Sequence, residues 1–366
     1  MKHLRFMAVL TAIMMFAVAC TGTGDASPDA DESEAAESMA AASEPAESAD
    51  SGGDDTADWP DEIVIGFVPS READTLVTNI ADLETALAEG LSEAAGREIT
   101  VEGFVPTDYT GLVTAMQAEQ AHIGAFGPFS LLQARDLAGA EIILQSERNG
   151  GATYHTQFMT NDPDKYCEDE PVENERNVGD ATATFLNCNG TERGPDDRAD
   201  GPIGEDAIAS IEAGTTVAFV EETSASGYIF PATVFLNNGI DPVEDLDRVF
   251  AGGHDASVSA VCEGQAEVGV AFDDARAITE STCDIANEVV VFAYGPEIPN
   301  DGWAVLASLP DGLKEAIAQT LLDYAASDEG AATLDAIYEI DNLVRADPES
   351  FSLVEDAAEQ LGIEGD

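Results

Sequence analysis

The 366-residue sequence predicts an α/β protein of two lobes, and three observations carry the prediction. Apolar runs of strand length alternate with helical patterns from residue 63 onward. A second series of such runs follows IILQS at 142–146 and is interrupted by an acidic, Gly- and Pro-containing insertion at about 161–204. Helical patterns after residue 310 bring no new strand series, so the chain returns to complete its first lobe. Strands separated by helices imply right-handed crossovers and a parallel sheet.

Taken in order, IVIGFV (63–68), a helix near 73–94, ITVEGF (99–104), a helix from about 109 to 119 and HIGAF (122–126) build the first lobe. YHTQFMT (154–160), TVAFV (216–220), AEVGVAF (266–272) and NEVVVFAY (287–294) build the second. Helical patterns at about 310–326, 328–338 and 348–361 close the chain. Residues 61–150 with 300–366 are read as lobe 1 and 151–299 as lobe 2. Two crossings, near 147–156 and 294–302, leave a cleft between them. The insertion lacks periodicity and reads as an irregular surface excursion, acceptable at that length only if stapled or peripheral.

The first residues, MKHLRFMAVLTAIMMFAVAC, place Lys2 and Arg5 ahead of a short apolar core and small residues just before Cys20. This pattern is a secretory signal, residues 1–19, with a lipoprotein-type cleavage site; a simple signal peptide with a chance cysteine is the alternative. Cys20 is then the lipidated N-terminus, holding the protein at the outer face of a membrane. Residues 21–60 carry twelve acidic and no basic side chains. With almost no apolar surface to bury, 20–60 reads as a disordered, self-repelling tether.

The chain has a formal net charge of −59 and only three lysines. Such charge argues against nucleic acid or an anionic lipid surface as partner. It fits a salt-rich habitat, where repulsion is screened within about 3 Å at 1 M salt, or simply an acidic exported protein. Cys167, Cys188, Cys262 and Cys283 form two consecutive pairs, each with twenty residues between its members. In an oxidising compartment, pairing in sequence order is the simplest of three connectivities. A metal site is the rival reading, with no histidine near either pair.

Motifs of nucleophilic, zinc and nucleotide chemistry are absent: the sequence has no GxSxG, SxxK, HExxH or P-loop. Ser224 or Ser226 with His254 as base remains a formal hydrolase possibility. Anion binding has a firmer basis in ETSASGYIFP (222–231). A strand ending at Val220 and a helix beginning near Ser224 leave the amides of Ala225, Ser226 and Gly227 without intrahelical partners at the positive end of the helix dipole. Ser224 and Ser226 add hydroxyl donors and Gly227 allows close approach, so an oxyanion could be held without a basic side chain; an ordinary helix cap is the bland alternative. Pro231 predicts a short first turn bent from the helix that follows. His254 in GGHDA opens a second helix, and Asp274 and Asp301 fall at expected strand ends, where open α/β sheets place ligands.

The order DYTGLV (108–113), HIGAFGPFS (122–130), ETSASGYIFP, GGHDA (252–256) and EIPND (297–301) resembles the phosphate, phosphite and phosphonate substrate-binding proteins of ABC importers. The similarity covers nearly all of 61–366 except the insertion. It implies a type II periplasmic-binding-protein fold, two α/β lobes closing on a ligand at a hinge, with no reaction catalysed and no cofactor or metal. The expected partners are a phosphorus oxyanion and a membrane permease, with the protein a monomer. A receptor for a sulfonate or carboxylate and a sensory lipoprotein of the same fold are the alternatives.

Carried over, the family's cleft tyrosine falls on Tyr109, its anion loop on Ser224, Ala225 and Ser226, its ligand histidine on His254, and its two acidic positions on Asp274 and Asp301. Three departures stand out. Ala225 replaces a hydroxyl residue, Phe126 stands where a tyrosine is common, and Asp274 is shorter than glutamate. In a cleft for an anion, the two carboxylates are expected to demand a donor on the ligand, a P–OH or an ammonium, and so to disfavour sulfate.

Overall fold

Ile63, Ile65 and Phe67 alternate along the first strand and are fully buried, every second residue facing the same side of its sheet. The protein was analysed as a computed structural model, which describes residues 56–148, 150–178, 181–193 and 202–363. The signal segment, Cys20 and nearly all of the expected tether lie outside the described residues. The last part of that tether is folded: Thr56–Asp58 form a single turn and Trp59 is buried in the core. Its carbonyl accepts from the Arg97 guanidinium.

Thirteen strands occur among the described residues: β1 Glu62–Phe67, β2 Thr100–Phe104, β3 Ile123–Phe126, β4 Ala140–Glu147, β5 Thr153–Thr160, β6 Val172–Val178, β7 Ala181–Asn187, β8 Thr216–Phe219, β9 Asp247–Phe250, β10 Val268–Phe272, β11 Val290–Pro299, β12 Gly302–Leu306 and β13 Asn342–Arg345. They form two sheets, in the orders β13-β4-β12-β3-β1-β2 and β6-β7-β11-β5-β10-β8-β9. The expected parallel arrangement holds for β2, β1 and β3 and for β10, β8 and β9. Both sheets are nonetheless mixed. Strand β12 runs antiparallel to β3 and β4, and β5 runs antiparallel to β10 and β11. These are the strands by which the chain enters each sheet from the other, so their direction follows from the crossing rather than from a helical return. Strand β13, antiparallel to β4, is a strand among the terminal helices where none was expected.

The two crossings lie side by side. Arg148 and Gly151 bridge each other, the Asn300 amide donates to Ala152 O at 2.7 Å, and the Ser146 amide donates to Asp301 O at 2.9 Å. The sheet of β1 packs Trp303 edge-on against Phe67, with ring centroids 6.0 Å apart. The other centres on Phe158, edge-on to Phe235 at 5.5 Å. These fully buried aromatic rings anchor the cores that flank the crossings.

The insertion departs from expectation. Strands β6 and β7 form an antiparallel hairpin, and β7 pairs in parallel with β11, so the segment extends the second sheet instead of wandering over its surface. No hydrophobic alternation announces it, because its docking is polar. Arg276, buried at 2% exposure, donates to Leu186 O at 2.6 Å and to Asn187 Oδ1 at 3.0 Å, and lies over the Phe185 ring. Disulfides join Cys167 to Cys188 and Cys262 to Cys283, the pairing in sequence order. The first closes a loop containing the whole hairpin, restricting the unfolded chain by about 3 kcal/mol.

Arg276 also holds the buried Asp274 carboxylate, Nη2 to Oδ2 at 2.7 Å. Removing one member strands a buried charge, so Arg276→Met is expected to lower stability by about 3–5 kcal/mol in thermal or urea unfolding. The double variant Arg276→Met with Asp274→Leu should recover much of the loss. A single variant within about 1 kcal/mol of the parent protein would show that the pair is not what docks the hairpin.

Candidate functional site

Val220 ends the buried run of β8, and the chain turns at once into a helix capped by Ser224, whose Oγ accepts from the Gly227 amide at 3.1 Å. The first turn, Ala225–Ile229, is π-helical: the Ile229 amide reaches back to Ser224 O at 3.0 Å. A regular α-helix, Phe230–Asn237, follows with Pro231 near its start. The expected short platform is therefore a widened turn. Its capping bond alters the donor set, since the Gly227 amide is engaged by Ser224 and Gly227 does not line the cavity. Glycine is required there for another reason. A Cβ would come 2.4 Å from Val220 Cβ, where strand end and helix start cross.

The turn faces a cavity of about 190 Å³ between the two sheets' strand ends, lined by Ser224, Ala225, Ser226, Tyr109, His254 and both predicted aspartates. Tyr109 begins the helix Tyr109–Gln117, capped by Asp108, and its buried ring comes from the first lobe. Its backbone amide donates to Glu221 Oε2 at 3.1 Å, a direct bond between that helix terminus and the loop before the platform. Phe126 is not part of the cavity lining. Its ring is buried in the core over Gly124, where an added Cβ would meet it at 2.2 Å.

His254 opens the helix His254–Cys262 and its amide donates to Ser70 O at 3.1 Å, again linking the two halves. The Phe272 amide donates to Nδ1 at 3.1 Å, so Nδ1 is the unprotonated nitrogen and Nε2 carries the hydrogen. Burial, with Arg71 and Arg148 nearby, lowers its pKa from 6.5 to about 3. Ser224 Oγ stands 3.5 Å from Nε2. A serine beside a histidine invites a hydrolase reading, but this nitrogen is a donor and cannot take the serine proton, and Nδ1 meets an amide instead of a carboxylate. The arrangement presents hydrogen-bond donors to the cavity, which is the chemistry an oxygen anion would need.

The two aspartates differ from expectation. Asp274 is saturated: its Oδ1 accepts from the Arg276 amide at 3.1 Å, from Arg276 Nε at 2.9 Å and from Gln157 Nε2 at 3.2 Å, while Oδ2 faces Nη2. Burial pushes its carboxyl up, and Arg276 outweighs that to hold it below the usual range. It offers a ligand no unengaged acceptor. Asp301 pairs through Oδ2 with Arg148, whose Nε donates to Tyr338 O at 2.8 Å and Nη1 to Asn300 Oδ1 at 2.9 Å. Asp301 Oδ1 has no partner among the described residues and remains able to accept.

Several cavity residues escaped the sequence analysis. Arg71 and Arg148 line the wall, so an anion there meets guanidinium groups as well as amides and hydroxyls. Arg71 is paired to Glu339 at 3.3 Å, and its buried Nε has no partner among the described residues. In a chain with 14 basic residues, two arginines just past strand ends were a usable signal. Tyr154, at the start of β5, presses its hydroxyl against both the amide and the hydroxyl of Ser226, and burial raises its pKa. Arg176 and Asn177 come from the hairpin.

The buried His254 makes a testable contribution to stability. Between pH 6.5 and 3 the unfolded state binds the proton that the folded state refuses, so stability falls as pH drops below 6.5, by up to about 1.4 kcal/mol per unit. Chemical denaturation from about pH 7 to 5, above the range of ordinary carboxylates, should show this slope reduced in His254→Gln. An unchanged slope would show that the ring takes up its proton as readily in the folded as in the unfolded state.

A family described as "ABC transporter, phosphonate, periplasmic substrate-binding protein" matches residues 65–351. The phosphate-import protein PhnD of Mycolicibacterium smegmatis is 25% identical over 230 residues, 59% of this chain and 56% of that protein. The phosphonates-binding periplasmic protein of Escherichia coli is 22% identical over 242 residues, 65% and 61% of the two chains. The chain thus spans less than two thirds of the length of these curated relatives. The crystal structure of PhnD1 from Prochlorococcus marinus with methylphosphonate aligns with a TM-score of 0.63 at 16% identity, over 83% of this chain and all of that one, which shows a shared fold. With two mixed α/β sheets and a family match from 65 to 351, this chain belongs to the substrate-binding proteins of ABC phosphonate transporters, a non-enzymatic family.

Proposed function

We propose that this protein captures a phosphorus oxyanion in the cavity between its two lobes and delivers it to a membrane permease, tethered at the outer face of the membrane through lipidated Cys20. The observation that carries the reading is convergence. The platform turn and the Nε2–H of His254 come from the second lobe, and Tyr109, Arg71 and Arg148 come from the first, all on one cavity. Amides at a helix start and a neutral imidazole donor bind an oxyanion locally, and the guanidinium groups add favourable field in a chain that is negative elsewhere. The Glu221–Tyr109 and His254–Ser70 bonds between the halves supply contacts that form on closure, and closing around a ligand gives a shape that a permease can distinguish.

Within this reading Asp301 is the discriminating group. Its Oδ1 accepts from the P–OH of a singly protonated phosphate or phosphonate, whereas fully deprotonated sulfate meets an unpaired carboxylate. Asp274 has no such role, being spent on Arg276.

A calorimetric and thermal-shift panel of phosphate, phosphite, methylphosphonate, sulfate and taurine tests the assignment. A true ligand at 100 times its Kd should stabilise the protein by about 2.7 kcal/mol. Binding of a sulfonate with no phosphorus oxyanion bound would overturn the substrate class. Asp301→Asn is expected to erode the preference for phosphate over sulfate by about ten-fold or more, the worth of one hydrogen bond to a charged group. Unchanged selectivity would remove Asp301 from this role.

A further inference from the structure

Tyr109 and His254 face the cavity from opposite lobes, and each is the first residue of its helix. A backbone amide at that position has no intrahelical carbonyl to meet. In both helices it is satisfied from the other lobe. The Tyr109 amide donates to Glu221 Oε2 at 3.1 Å, and the His254 amide donates to Ser70 O at 3.1 Å. The two caps are reciprocal, because Glu221 belongs to the second lobe and Ser70 to the first. Of the two acceptors, only Glu221 acts through its side chain.

Each side of the Glu221 contact is tied down within its own lobe. On the second lobe the Ser224 amide donates to Glu221 O at 3.0 Å and the Val220 amide to Gly227 O at 3.1 Å, which fastens the carboxylate to the platform turn. On the first, Asp108 Oδ1 accepts from the Gly111 amide at 2.7 Å, and the Tyr109 ring lies beside Gly127, where an added Cβ would come within 3.8 Å of it. Opening the cleft about the two crossings therefore separates Glu221 from Tyr109 and returns both groups to water. Burial raises the pKa of the Glu221 carboxyl, the Tyr109 amide opposes this, and Asp108 adds to it. The charge itself is thus disfavoured in the closed arrangement. What the side chain supplies is an acceptor of the right reach.

We infer that Glu221 is a positioning residue for ligand capture: it caps the Tyr109 helix from the opposite lobe on closure, holds Tyr109 against the platform turn and so slows ligand release. This rests on the phosphorus-oxyanion reading above and adds to it the group that sets residence time. Among the described residues that line the cavity Glu221 does not appear, so its effect reaches the ligand through Tyr109 and the closed geometry.

Calorimetry and stopped-flow dissociation with phosphate and methylphosphonate, on the full chain and three variants at one pH and salt concentration, decide the matter. Glu221→Gln keeps the acceptor and its reach without the charge, Glu221→Asp keeps the charge and loses the reach, and Glu221→Ala loses both. Release is expected to be about ten-fold faster in the aspartate and alanine variants, the low end for one hydrogen bond to a charged group. Association rates should stay within about two-fold, since the contact forms after encounter. The glutamine variant should release within about three-fold of the parent protein. Unchanged release in Glu221→Ala overturns the assignment and leaves the oxyanion reading standing. A glutamine variant as fast as the aspartate one, or a loss carried by association alone, overturns it as well. Failure of the parent protein to bind either ligand overturns both. The contrast between glutamine and aspartate remains decisive where the alanine variant does not fold.

Discussion

Everything in this molecule is organised around the double crossing where Arg148 pairs with Asp301. The chain passes between sheets twice, at 147–153 and at 299–302, and the two passages are joined by backbone bonds and by the Arg148 side chain, which reaches Asp301, Asn300 and Tyr338 together. A guanidinium held by three partners cannot swing away. It fixes the floor of the cavity, and the strands that leave this point enter the centre of each sheet against the direction of their neighbours.

On that floor the hydrogen-bond donors of the cavity come from opposite sides. The platform turn is π-helical because a strand, a capping serine and Pro231 share a few residues, and its geometry spends the Gly227 amide on the Ser224 cap. The histidine facing it is made a donor by a single backbone contact, Phe272 N–H to Nδ1. The same Ser–His proximity that suggests acyl-transfer chemistry in a sequence is here a pair of hydrogen-bonding groups, because the tautomer is set on the far side of the ring.

Charge pairing sets the electrostatics of the cavity in so acidic a chain. Of its few arginines, Arg71, Arg148 and Arg176 line the cavity and Arg276 stands directly behind it. Each lies against a carboxylate, and Asp335 and Asp341 line the same wall besides, so no arginine there stands as an isolated positive charge. Asp274 has every oxygen engaged, while Asp301 Oδ1 has no partner among the described residues.

The sequence by itself indicated two α/β series and the return of the chain to the first, favoured disulfide pairing in sequence order, and through its family resemblance put Tyr109, Ser224, Ser226 and His254 in one cleft. These depend on local patterns: period-two apolar runs, a helix cap after a strand and the order of short motifs. Only the tertiary structure decided which donors are free and which charges are spent. The hairpin β6–β7 carries no apolar alternation because buried arginine and a disulfide hold it. Arg176 therefore reaches the cavity from a segment that read as an excursion. Phe126 proved to be core because its ring covers Gly124, and Asp274 proved neutralised because Arg276 sits two residues on with its side chain folded back. Pairings across the fold are set by packing between distant segments, and hydrogen-bond satisfaction is a property of that packing, not of the residue type.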